Sequence, residues 1–175
     1  DGVKGVYERL DIMFFQAAST GVTVIDDTNN TGTGIRVDFG IPSGNQFGAT
    51  SKAWTDADAM PIDDIENVVN KARNKGFVLK YLWIDKVTFN LLKSNAQVRE
   101  SFAGSMKVAA SLIFRISADE LKNHINTEFG LDIIVIDKVC QIEKGGVKTA
   151  YEPWERGNVT FTTTTDLGTL TYGEL

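Results

Sequence analysis

Residues 61–84 read "PIDDIENVVNKARNKGFVLKYLWI", and the change of period inside them decides the fold class. Over 61–76, Ile62, Ile65, Val68, Val69 and Ala72 recur at the three- and four-residue spacing of a helix with one apolar face. Over 77–84 the period disappears. Bulky β-formers crowd a run too short for a helix, which predicts a mostly buried strand after Gly76. Helix followed by buried strand is the unit of a mixed α/β body.

The same alternation continues downstream. A helix is expected from about Asp85 through "KVTFNLLKS", and "AQVRESF" (96–102) suggests another short one. "SADE" (117–120) is a capping box, a serine followed three residues later by a glutamate, and it opens a helix that Gly130 should end. "LDIIVID" (131–137) reads as the next strand. "CQIEKGGVKTAYE" (140–152) reads as a hairpin, because Gly145-Gly146 can take the positive φ angles of a two-residue turn. The threonine-rich tail should return as strand.

Upstream the organisation differs. Residues 2–20 predict a helix with Val3, Val6, Leu10, Met13, Phe14 and Ala17 on its buried stripe and Gly21 as its cap. "VTVID" and "IRVDFG" alternate like two strands joined by the polar tip "DTNNTGTG". "GIPSGNQFGATS" (40–51) has the composition of a loop or linker. A helix-plus-hairpin element therefore precedes the α/β body.

Five carboxylates (Asp56, Asp58, Asp63, Asp64 and Glu66) lie within residues 54–66, "WTDADAMPIDDIE". A metal-dependent hydrolase could use such a cluster. An EF-hand beginning at Asp56 would need Gly and Glu where Pro61 and Asn67 stand, so calcium is excluded in that form. A helix start explains the residues more simply. Proline suits the first helical turn, and the dipole favours Asp63, Asp64 and Glu66 by ~0.3–1 kcal/mol each.

Other chemistry is thin. His124 is the only histidine and Cys140 the only cysteine, so a two-histidine metal pair, a thiolate zinc cluster and an internal disulfide are all excluded. Cys140 in a strand segment fits a small buried residue better than a nucleophile. No GxGxxG, phosphate loop or GxSxG occurs. Trp54, Trp83 and Trp154 fit packing better than ligand stacking. No catalytic residue, cofactor-binding residue or metal ligand is assigned, and no cofactor is expected.

Eighteen basic against twenty-three acidic residues give a net charge of −5. That balance argues against a nucleic-acid site, since Lys71, Arg73 and Lys75 merely suit the end of one helix. No apolar run approaches the ~20 residues of a membrane span, and no signal-peptide pattern is present. A single cysteine fits a cytoplasmic origin. A start at Asp1 without methionine suggests a processed or excised piece. Elimination leaves a non-enzymatic structural or binding protein.

Several stretches, in order, resemble the lambda-type capsid family of tailed phages (phage major capsid protein E). "ERLDIMFFQAASTG" (8–21) is similar to the end of that family's long spine helix, and "IRVDFGIP" (35–42) to a strand with its valine-aspartate-hydrophobic-glycine signature. Trp54, "PIDDIE" (61–66) and "LWIDKVTFNLLKSNAQVRESF" (82–102) follow the family pattern. "IVIDKVCQIEKGGVKTAYEPWERGNVTF" (134–161) resembles its late hairpin, and "GTLTYGEL" (168–175) the entry to its last strands.

The resemblance implies an α+β chain of the Hong Kong 97-type capsid fold. Residues 1–45 and 158–175 would form a peripheral domain with spine helix and long β-hairpins. Residues 46–51 would be a linker and 52–157 an α/β axial domain. It implies that the family's N-terminal arm precedes Asp1 and that more sheet follows Leu175, so this chain would be a truncated fragment. It further implies a subunit of an icosahedral shell around double-stranded DNA, formed in the host bacterial cytoplasm and ending in the virion. Its partners would be copies of itself as hexamers and pentamers, with scaffold or decoration proteins in addition, and neither nucleic-acid site nor membrane. The polar hairpin tip Glu143, Lys144, Gly145, Gly146, Val147 and Lys148 is the expected assembly interface. Another virion component, such as a tail or decoration protein, is the alternative of the same class.

Overall fold

A computed structural model describes residues 2–25, 35–144 and 146–168. Asp26 at the end of the first expected strand, the expected hairpin tip at 27–34, Gly145, and the last residues of the threonine-rich tail lie outside the described residues.

Helix α1 (Gly2–Thr20) runs into strand β1 (Val22–Ile25), which pairs antiparallel with β2 (Ile35–Asp38) in the register Val22 to Asp38. Gly21 makes the turn between them. Its φ is +74°, which calls for glycine, and a Cβ there would press on the end of the Ile41 side chain at 2.7 Å. Its amide donates to Ala17 O at 2.8 Å, closing the helix.

The body is built from helices α2 (Pro61–Asn74), α3 (Lys86–Leu92), α4 (Ala96–Met106) and α5 (Ala118–Phe129) around one three-stranded sheet. The sheet has the order β4 (Asp132–Ile136), β3 (Tyr81–Asp85), β7 (Val159–Thr162), with β3 parallel to β4 and antiparallel to β7. Strands β5 (Cys140–Lys144) and β6 (Val147–Tyr151) form a separate hairpin. Helices and strands mix in an α+β chain.

Local chemistry explains most boundaries. Pro61 starts α2, with Asp63 and Asp64 in the first turn. Asp85 caps α3 by accepting from Thr88 N, and Asn95 caps α4 by accepting from Val98 N. Ser117 and Glu120 complete both hydrogen bonds of the expected capping box, and Gly130 ends α5 in the left-handed conformation. The core gathers Ile65, Leu82, Ile84, Phe89, Leu92, Val98, Ile116, Leu121, Ile125, Leu131 and Ile133 between the sheet and the helices. Each such side chain contributes roughly 1.5–3 kcal/mol by leaving water.

Three expectations are corrected here. The strand expected over 77–84 begins only at Tyr81; Phe77 and Val78 are exposed, because the amide of Phe77 still bonds back to Ala72 O at the helix end. The stripe expected on α1 is rotated. Ile12 and Ser19 are buried, Leu10, Met13 and Ala17 are half-buried, and Phe14 is 42% exposed. The side chains of Val3 and Val6 lie outside the description. The rotation follows from polar stitching to residues 151–160. Gln16 Nε2 donates to the Tyr151 hydroxyl (2.8 Å), Thr160 Oγ1 to Ala18 O (2.7 Å), Asn158 Nδ2 to Ser19 O (3.0 Å) and Glu155 N to Ser19 Oγ (3.2 Å). Finally, α4 extends to Met106, well past the short helix expected over 96–102.

Strand β7, expected with the outer element, hydrogen-bonds to β3 in the body while Thr160 within it also holds α1. It stands at the junction of the two.

All three indole N–H groups have partners. Trp54 Nε1 donates to Asp64 Oδ2, Trp83 Nε1 to Thr162 Oγ1 and Trp154 Nε1 to Asn158 O, at 2.8, 2.8 and 2.9 Å. The three rings are buried.

Candidate assembly surface

The β5–β6 hairpin pairs Cys140 with Tyr151 at its root and Lys144 with Val147 at its tip, where a turn that includes Gly146 joins the strands. Gly146 has φ +79°, the backbone that such a turn needs. Root and tip differ in environment. Cys140 is buried, and its thiol pKa is pushed up by that burial. Tyr151 is bonded to Gln16, and Lys138, just before the hairpin, pairs with Asp11 of α1, which holds the lysine pKa up. Toward the tip, Val147 is 66% exposed and Lys148, Thr149 and Ala150 are exposed. The side chains of Glu143 and Lys144 lie outside the described residues, as does Gly145. The hairpin is thus anchored by buried groups at its base and exposed over 146–150.

The carboxylate cluster is not one site. Asp58 and Asp56 both pair with Lys52, at 2.7 and 3.6 Å. The hydrogen bond from Lys52 holds the Asp58 carboxyl below its ordinary value, the opposite of what a general acid needs. Asp63 and Glu66 are exposed on α2, as a helix start predicts. Asp64 departs from that expectation. It is buried, and its two oxygens accept from Thr50 N (2.7 Å) and Trp54 Nε1 (2.8 Å). It therefore fastens the 46–54 segment to α2. No group of three metal-ligating side chains converges among the described residues.

His124 is buried on α5, shares a 2.9 Å hydrogen bond with Ser101 Oγ of α4, and meets the Phe102 ring edge-on. Burial lowers its pKa, with Glu128 opposing. Its polar partner is Ser101, and Cys140 sits on a different element, at the hairpin root. No helix among the described residues is long and apolar enough to cross a membrane.

Two features escaped the sequence reading. One is the Asp64 clamp, whose partners lie in the loop before it. The other is the apolar surface at 106–114, where Met106, Val108, Leu112 and Phe114 are all exposed. The signal for the second was present, since "MKVAASLIF" lacks a helical or alternating period.

The chain matches the family model described as phage major capsid protein E over residues 3–174. It is also similar to a crystal structure described as a prophage capsid protein from E. coli CFT073, with 23% identity over 87% of this chain and a TM-score of 0.45. The match spans 43% of that structure's own length. No curated protein matches. With the family model spanning nearly the whole chain, this protein belongs to the phage major capsid protein E family.

Proposed function

We propose that this chain is a subunit of a phage or prophage icosahedral capsid that self-assembles into pentamers and hexamers enclosing double-stranded DNA. What carries the reading is the family match over residues 3–174. The chain then adopts the Hong Kong 97-type arrangement, with residues 1–45 and 158–175 peripheral, 46–51 linking, and 52–157 axial. β7 forms the seam, since it pairs with β3 and also holds α1.

In this reading no residue performs catalysis. Assembly rests on surface repeated between identical copies. The tip Glu143–Lys148 faces the capsomer axis, and a net charge of −5 suits a shell that encloses DNA without gripping it. Scaffold or decoration proteins are further partners, and the subunit passes from the host cytoplasm into the virion.

Expression of the complete coding sequence, followed by sedimentation and electron microscopy, tests the proposal. Closed shells are expected. A protein that stays small under conditions where its neighbours in the virion are supplied overturns it.

A further inference from the structure

The segment 106–115 is ordered yet uncovered. Lys107 is the one non-glycine residue with positive φ (56°) among the described residues, and it ends α4. The chain beyond it is pinned at several points. Val108 N bonds to Ala103 O, Arg99 Nη1 donates to Ile113 O, and Ile116 N bonds to Lys93 O, at 3.1, 2.9 and 2.9 Å. Between these pins Met106, Leu112 and Phe114 are 58, 72 and 83% exposed. A fixed backbone that displays large apolar side chains has the character of an interface, because the ordering that binding requires is already in place.

Charge indicates what covers it. Lys107 and Arg115 flank the apolar residues, and neither side chain has a hydrogen bond or ion pair among the described residues. Exposed Met60, with Asp63 and Glu66 on the adjoining turns of α2, carries the opposite pattern. Those two carboxylates are equally unpaired. The two surfaces do not satisfy each other within one chain. Ile62 N donates to Gln97 Oε1, seating the acidic end of α2 by the start of α4, and no ion pair joins Asp63 or Glu66 to Lys107 or Arg115 among the described residues.

We propose that the 106–115 segment of one copy docks on the Met60–Glu66 end of α2 of a second copy. Unlike surfaces meeting head to tail make a heterologous contact, the kind that closes rings of identical subunits. The inference rests on the self-association proposed above.

Charge-reversal mixing tests it. K107E/R115E and D63K/E66K are made separately, and association of the chain is followed by sedimentation up to about 1 mM, the weak end of specific affinity. The wild type should self-associate, more tightly at low salt. Each variant alone should lose roughly tenfold or more in affinity, since one like-charge juxtaposition replaces an attraction. An equimolar mixture of the two should recover association, because each acidic surface again meets a basic one. Single cooperative melting transitions, lowered in D63K/E66K only by the lost helix-dipole interaction, establish that the variants fold. A wild-type chain that remains monomeric overturns the proposal, as do variants that associate like wild type or a mixture that shows no recovery. Association that persists in both variants leaves shell building by other contacts standing, whereas failure of the complete protein to form shells removes the shell reading itself.

Discussion

The buried carboxylate of Asp85 reaches across the fold to Gly157. One oxygen caps α3 through Thr88 N at 2.8 Å, and the other accepts from Gly157 N at 3.2 Å, an amide that also donates to Thr88 Oγ1. Gly157 has φ +81°, and a Cβ there would lie 3.3 Å from Thr55 Cγ2. A strand end, a helix start and the chain entering β7 are thus tied at one point.

Asp85→Ala removes a cap and leaves a buried amide short of a partner, so it should destabilise the chain by about 2–3 kcal/mol. Asp137→Ala breaks only the exposed pair with Lys86 and should cost about 0.5 kcal/mol or less. Urea denaturation of both variants measures the contrast, and equal losses would show that the knot is not structural.

Asp63 and Asp64 are adjacent yet should behave differently. Asp63→Ala forfeits a dipole interaction of about 0.3–1 kcal/mol. Asp64→Ala strands the Trp54 indole N–H and the Thr50 amide and should cost about 2–4 kcal/mol, as two charge-assisted hydrogen bonds are lost. Chemical denaturation followed by tryptophan emission reports both, with Trp54 expected to move to a wetter environment in the second variant alone.

His124 should make folding sensitive to mild acid. Its folded pKa lies below the ordinary 6.5 because burial opposes the charged form. The unfolded chain therefore binds the proton more readily, and stability is complete above 6.5 and declines as pH falls toward the folded value. Between 6.5 and the ordinary glutamate value of 4.5, wild type should lose stability where His124→Gln loses less. Parallel pH profiles for the two proteins would refute the assignment.

The hairpin tip should matter to assembly and not to folding. Lys144→Glu with Lys148→Glu should leave the melting temperature of this chain nearly unchanged, since Lys148 is exposed. In the complete protein the same pair should lower the yield of closed shells on a gradient. Unfolding of the chain would make the tip part of the core, and normal shells would make it a bystander.

What was legible in the sequence was local. Ser117-x-x-Glu120, Asp85 before Lys86, Pro61, Gly130 and Gly146 each act through neighbours a few residues away, and each marks an element boundary that the structure contains. The face of α1 was not legible, because Gln16 and Ser19 find their partners at 151–158, far along the chain. Apolar spacing alone favoured Phe14 over Ser19, and long-range hydrogen bonds reversed the preference. Asp64 escaped for the same reason. The turn of the β5–β6 hairpin was legible in its glycines, while the 106–114 surface showed in the sequence only as an apolar run without a period.

The three buried indoles give the molecule its own optics. Each ring reports a different joint: Trp54 the loop before α2 against that helix, Trp83 the β3–β7 pairing, Trp154 the approach to β7. With every N–H bonded inside, native emission should be blue-shifted as a whole. Variants retaining one tryptophan at a time would resolve whether the joints open together or in sequence.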